Sequence, residues 1–257
     1  MSETVIAVLG LGEAGSLIAA DLVTAGATVR GFDPRVAPPP GVIAARDDAD
    51  ACRGASVVLS VNSASEAAAA LRASLPSCAP GTIWADLNTS TPDLKEFLRT
   101  EAAGAVDVVD VALMSPVPGK GLRTPMTMSG ESAEALAGIL AGFGADVVVL
   151  DGPVGTAATR KLLRSVFYKG MAAAVVEALE AAKVAGLEEW LRGNIAAELI
   201  KADAATLDRL VDGSHKHAVR RREEMAAAAE LLDSLGVPSR IAGASRDWLE
   251  DLKTRRP

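Results

Sequence analysis

The sequence holds only two cysteines, Cys52 and Cys78, and two histidines, His215 and His217, in 257 residues. Two thiols allow one bridge at most, so a disulfide framework is excluded and buried reduced thiols with a structural role are expected. Two histidines without a carboxylate cluster at ligand spacing predict no catalytic metal. Positive charge is scarce as well: 26 basic against 33 acidic residues leave a net charge of −7. That balance argues against a nucleic-acid surface, which needs a clustered positive field. Long hydrophobic runs are missing too. The longest uncharged stretch is the thirteen residues 73–85, too short to span a bilayer. The opening MSETVIAVLG has an acidic start and no basic segment, so no secretory signal and a cytoplasmic location are expected. These absences leave a globular protein that works on small molecules.

What the chain does contain is 49% hydrophobic residues, rich in alanine and in short β-branched runs. Strand-like segments at 5–9, 28–32, 56–61, 82–85, 106–111, 126–129 and 147–150 alternate with helical ones at 14–25, 66–75 and 133–143. A further helix is signalled by the cap Ser90-Thr91-Pro92-Asp93. Alternating strands and helices imply crossover connections and a mainly parallel sheet. The pattern changes at Asp151-Gly152-Pro153, and from 154 to 185 no proline interrupts what reads as one helix of about 30 residues. The expected fold is therefore α/β, with a Rossmann-type parallel sheet over 1–151 followed by an all-helical domain over 152–257.

The stretch VLGLGEAGSLIAADL places Gly10, Gly12 and Gly15 between the first strand and the first helix. Such a spacing alone is weak, but here it follows a strand, opens a helix and is answered by Asp33 at the end of the second strand. Each glycine then has its own physical reason. Gly10 permits the tight turn, Gly12 admits a pyrophosphate to the backbone, and Gly15 allows close helix–strand packing. The dipole and exposed N–H groups of the helix start, around Leu11, Glu13 and Ala14, favour the negative charge. Asp33 suits the hydroxyls of an adenosine ribose and repels a 2′-phosphate, so NAD is preferred over NADP, with Arg35 as the residue that could reverse the preference. Asn62 and Asn88 follow strand-like runs and lie where parallel sheets bind ligands, or else they cap their loops. Asp86 and Asp110 fall inside strands, where either could satisfy buried backbone donors, and Glu177 and Trp190 read as packing or interface residues.

The long helix carries Lys161, Arg164, Ser165 and Tyr168 at i, i+3, i+4 and i+7, one face, with Lys169 at its border. A basic stripe near a helix N-terminus opposes the dipole, so either it is a solvated surface or it recognises an anion. In the second case a lysine with its pKa lowered by burial and neighbouring cations can exchange a proton with a carbonyl or alcohol oxygen. His217 is either a polar surface residue or a substrate contact.

With VLGLGEAGSLIAADLVTAGATVRGFD and VGTAATRKLL, the chain resembles the β-hydroxyacid dehydrogenases, the group of 3-hydroxyisobutyrate and 6-phosphogluconate dehydrogenases. The resemblance implies that the glycine fingerprint binds NAD(P), that Val61, Asn62 and Asn88 line its nicotinamide half, and that Lys161, six residues after Gly155, is the catalytic acid/base. It also implies a substrate cleft between the domains and a homodimer formed through the helical domain. The chain departs from the family at several places. Arg164 and Ser165 replace two asparagines, DVALMSPVPGKG replaces the loop D-x-P-V-S-G-G with Ser115 as the nearest serine, and Glu223-Glu224 after HAVRRR stands where Lys-Asp is usual. The added cations point to a small anionic substrate positioned by Ser115, Arg164, Ser165, Tyr168, Lys169 and His217. The expected reaction is hydride transfer between a nicotinamide and a hydroxy acid or its carbonyl counterpart. The alternatives are an imine reductase or decarboxylating sugar-acid dehydrogenase on the same fold, and a sensing or scaffold protein without turnover.

Overall fold

The computed structural model describes residues 4–254; the first three residues of the acidic start lie outside them. Its first strand, β1 (Val5–Leu9), is buried from Ile6 onward. VIAVL suits that place, since a parallel strand covered on both faces has no polar side to show. Its side chains alternate between two apolar layers: Ile6 and Val8 join one, and Ala7 and Leu9 the other. The helix α1 (Glu13–Thr24) packs through Gly15, Ile18, Ala19 and Leu22, the i, i+3, i+4, i+7 stripe of an amphipathic helix.

The chain continues through β2 (Thr28–Phe32), the two-residue β3 (Ile43–Ala44), the short α2 (Asp48–Cys52) and β4 (Val57–Ser60). Next come α3 (Ala67–Ser74), β5 (Ile83–Asp86), α4 (Pro92–Ala102), β6 (Asp107–Leu113), β7 (Met126–Ser129), α5 (Ala133–Gly142) and β8 (Val147–Val149). The eight strands form one sheet in the order β3-β2-β1-β4-β5-β6-β7-β8, parallel except for the β6–β7 pair. This is the doubly wound topology with its crossing point between β1 and β4, where such sheets bind ligands beyond the strands' carboxyl ends. β3 and α2 were not anticipated. The first is only two residues long, and the second is held by Asp47, which accepts a hydrogen bond from Asp50 N–H, more than by an apolar stripe. Cys52 and Cys78 are both unbridged.

The helix α4 begins at the expected cap: Thr91 accepts from Leu94 N–H, and Pro92 stands at the first helical position, where no N–H is needed. Its buried stripe is Lys95, Leu98 and Ala102, an unusual company for a lysine.

The long helix α6 runs Thr156–Val184, 29 residues. The chain divides into two compact units inside this helix, after Arg164, whereas the anticipated domain boundary at 151/152 falls just past β8. The second unit, Ser165–Pro257, holds the rest of α6 with α7 (Glu188–Lys201), α8 (Ala204–Lys216), α9 (Ala218–Ser234) and α10 (Arg240–Leu252). Its core joins Ala181 of α6, Ala229 and Leu232 of α9, Val237, and Ala242 of α10. Among the described residues no helix is long and apolar enough to cross a membrane.

Glu177 organises this unit by taking the open end of α10: the N–H groups of Ile241 and Ala242 donate to its two carboxylate oxygens at 2.7 and 2.8 Å. First-turn N–H groups have no intrahelical partner, and a carboxylate there is also attracted to the positive end of the helix dipole. Glu177→Ala is expected to lower stability by about 1–3 kcal/mol, read as a reduced urea midpoint with an unchanged slope.

Candidate functional site

The first part of the site is the turn between β1 and α1. Gly10 has φ +92°, and a Cβ there would lie 2.7 Å from the backbone of Asn62 and Val61, so turn and close approach both require glycine. A Cβ on Gly15 would overlap the carbonyl oxygen of Gly10. Gly12 has open space where its Cβ would be, and as N-cap of α1 it brings no side chain to the first-turn N–H groups. An anion can therefore approach the helix start at Gly12, Glu13 and Ala14 without meeting a capping side chain, whereas Leu11 is buried and its N–H is already bonded to Asp33.

Asp33 ties this turn to the loop after β2. Its Oδ2 accepts from Leu11 N–H at 2.9 Å, and its Oδ1 accepts from Arg35 N–H at 2.8 Å and Val36 N–H at 3.1 Å. Burial pushes the pKa of the carboxyl up, but the backbone donors of Arg35, Leu11 and Val36, with the Arg35 guanidinium, outweigh it and hold the group below the ordinary 3.8. A carboxylate offers about four acceptor positions. One on Oδ2 is left for a ribose hydroxyl.

The second part lies at the carboxyl ends of β4, β5 and β6. The Asn88 amide nitrogen is held by Asp86 Oδ1 at 2.6 Å, Asn62 Oδ1 at 2.9 Å and Ser60 Oγ at 3.1 Å. Val61 is fixed beside it by its N–H to Leu9 O at 2.7 Å. Behind Asn88 the Lys95 ammonium, with its side chain 1% exposed, sits 2.6 Å from Asp86 Oδ2 and 3.1 Å from Asp110 Oδ1. It also donates to the Asp86 carbonyl at 2.8 Å. The other oxygen of Asp110 accepts from Gly155 N–H at 3.2 Å and Ala158 N–H at 2.8 Å, which caps α6. Lys161, half-buried, stands one turn further along that helix. Asn88, Lys95, Asp110, Ala158, Lys161 and Leu162 line one small pocket.

Of the other candidates, Arg164 donates to the Met114 carbonyl at 2.8 Å, which brings it to the loop that holds Ser115. Lys120, not anticipated, donates to Ser115 Oγ at 3.2 Å. Ser165, Tyr168 and Lys169 continue along α6 in the second unit, with the Tyr168 ring edge-on to Phe167 at 5.0 Å. His217 is exposed at the junction of α8 and α9, where its N–H donates to Gly213 O at 3.1 Å. Of the Glu223-Glu224 pair, Glu224 is paired with Arg220 at 2.8 Å. Lys95 was not anticipated from the sequence at all. The signal was present: a lysine at an inward position of α4, facing two strands that each carry an aspartate.

The family model described as "NAD binding domain of 6-phosphogluconate dehydrogenase" matches residues 5–150, and a domain of unknown function, DUF1932, matches 182–252. No curated protein matches the chain. Among solved structures, a conserved hypothetical protein from Sinorhizobium meliloti is 27% identical, with 96% of this chain and 88% of that one covered and a TM-score of 0.63. The conserved protein MTH1747, described as structurally similar to 3-hydroxyacid dehydrogenases, is 26% identical over 97% and 98% of the two chains, with a TM-score of 0.62. A reductive aminase from Aspergillus terreus solved with NADPH has a TM-score of 0.80 over 97% and 93% of the chains, at 16% identity, a likeness of fold. With more than half of its length in the first match, this chain belongs to the family of the 6-phosphogluconate dehydrogenase NAD-binding domain, and carries a DUF1932 domain behind it.

Proposed function

We propose that this protein catalyses hydride transfer between a nicotinamide cofactor and a small anionic hydroxy acid or its carbonyl counterpart, with Lys161 as the proton donor and acceptor. One observation carries the reading: Lys161 and Asn88 line the same small pocket, at the carboxyl ends of β5 and β6. A bound nicotinamide cofactor supplies or accepts the hydride. Gly12 and the uncapped start of α1 would hold its pyrophosphate, Asp33 would take a ribose hydroxyl, and Val61, Asn62 and Asn88 would line its reactive half. Lys161 hands a proton to the oxygen of a carbonyl as its carbon is reduced, and takes one from the hydroxyl in the reverse direction. Arg164, Ser115 and Lys120 gather at one loop and suit a carboxylate or phosphate.

A C=N acceptor is the competing substrate class, favoured by the fold shared with a reductive aminase and with an imine reductase from Myxococcus stipitatus bound to NADP+. The lysine at 161 favours oxygen chemistry, because it supplies a proton where an alkoxide would form. A non-catalytic NAD(P) sensor is the remaining alternative. NADH and NADPH oxidation is to be screened against short keto acids, aldehyde acids, sugar acids and cyclic imines. Lys161→Ala is expected to reduce turnover about 100- to 10,000-fold while NADH affinity changes little; undiminished turnover would remove Lys161 from the mechanism.

We infer NAD over NADP from Asp33, whose charge meets a 2′-phosphate at close range. Because its pKa is depressed, the carboxylate stays ionised as pH falls past 3.8 and is lost only below it. NADH affinity is therefore expected to be flat from about pH 5 to pH 8 as far as Asp33 is concerned. Asp33→Ser is expected to move the NADH-to-NADPH preference by about tenfold toward NADPH, measured by fluorescence titration with each cofactor.

The second unit leaves Trp190 65%, Ile200 86% and Leu207 59% exposed, and neither α7 nor α8 buries a residue. Apolar exposure of that extent marks an interaction surface. We read it as a homodimer interface in a cytoplasmic enzyme; sedimentation of the full chain as a monomer at micromolar concentration would refute the dimer.

A further inference from the structure

Lys95 has no part in the chemistry proposed above, yet it is the most unusual side chain in the first unit. It is a lysine with 1% of its side chain exposed, on the apolar stripe of α4, against two fully buried aspartates. A buried charge cluster is costly to desolvate, and apolar residues of similar volume would stabilise the fold at least as well. What such residues would not do is connect the two walls of the pocket. From Lys95 one arm runs through Asp86 to the Asn88 amide and on to Asn62 and Ser60. The other runs through Asp110 to the N–H groups of Gly155 and Ala158. Ala158 and Lys161 are three residues apart, on the same side of α6.

Resting on the function proposed above, we propose that Lys95 is a positioning residue that sets the Lys161 amine against the Asn88 edge of the site. Through Asp86 it fixes the amide, and through Asp110 it fixes the first turn of the helix that carries the acid/base. Its ammonium is the shared partner of both carboxylates, so neither arm keeps its geometry without it. The cluster also brings one net negative charge close to a helix N-terminus, where the dipole favours it.

Lys95→Met alone leaves two carboxylates facing each other and is a poor test. Lys95→Met/Asp86→Asn removes the bridge while keeping the net charge of the cluster, and Asp110→Asn breaks the other arm with little change of shape. In both, turnover is expected to fall about tenfold or more, with the NADH dissociation constant within about threefold of wild type. A second readout needs no substrate. Purified protein is labelled with acetic anhydride across a pH series, and acetylation at Lys161 is measured by peptide mass spectrometry. The labelling midpoint of Lys161 is expected to move by about half a pH unit or more in both variants. Glu177→Ala, which destabilises the fold through α10, is expected to leave that midpoint in place. Unchanged labelling in both variants would overturn the positioning role, whether or not a substrate has been found. If Lys161→Ala abolishes a turnover that both variants retain, the role of Lys95 fails and the proposed function stands. A shifted midpoint in a protein that neither oxidises NAD(P)H nor reduces NAD(P)+ with any of the screened acids would support the positioning and count against the proposed function.

Discussion

The cluster of Lys95 with Asp86 and Asp110 ties α4 to the paired strands β5 and β6, a connection that the sheet by itself does not make. β5 contributes one carboxylate, β6 the other, and α4 the cation, so three separate segments must be in register before the charges are neutralised. The spare oxygen of Asp110 then takes two N–H groups at the start of α6. A helix of 29 residues is thus anchored at its first turn by an aspartate in the middle of a buried strand. Breaking such a cluster on one side strands the opposite charge in a dry interior, which makes the arrangement all-or-none.

Much of the architecture was legible because the physics behind it is local. β1, β2 and β7 coincide with their expected spans, and the long helix was read to within two residues at each end, since patterning and turn residues speak for themselves over short distances. The glycine turn was legible for the same reason: strand, turn, helix and Asp33 all lie within the first 33 residues. β3 and α2 were not read, because a two-residue strand has no periodicity and α2 depends on its cap. The lysine network escaped because its parts are 9 and 15 residues apart in sequence, and no rule of spacing links an α4 lysine to aspartates on two strands. Asp110 was half understood. It does satisfy buried backbone donors, but those donors lie 45 and 48 residues downstream.

Membership of the family rests on residues 5–150, and the departures from the resemblance lie in the loop around Ser115, in α6 and at Glu223-Glu224 of α9. Where relatives by resemblance carry asparagines after the lysine, this chain has Arg164, which holds the Met114 carbonyl beside Ser115. Lys120 meets the same serine. The glycine turn thus keeps the shared pattern, and the loop around Ser115 is met by two cations.

The three N–H bonds that Asp33 already accepts mean that its two oxygens are aimed before any ligand arrives. The following segment contains three consecutive prolines, Pro38 to Pro40, whose φ angles are fixed. On the function proposed above, docking of an adenosine ribose would require little ordering of chain, the entropy of stiffening this corner being lost during folding and not at the moment of encounter. Such a corner has the character of a rigid socket, and on that reading discrimination between coenzymes would be decided by fit and charge at first contact.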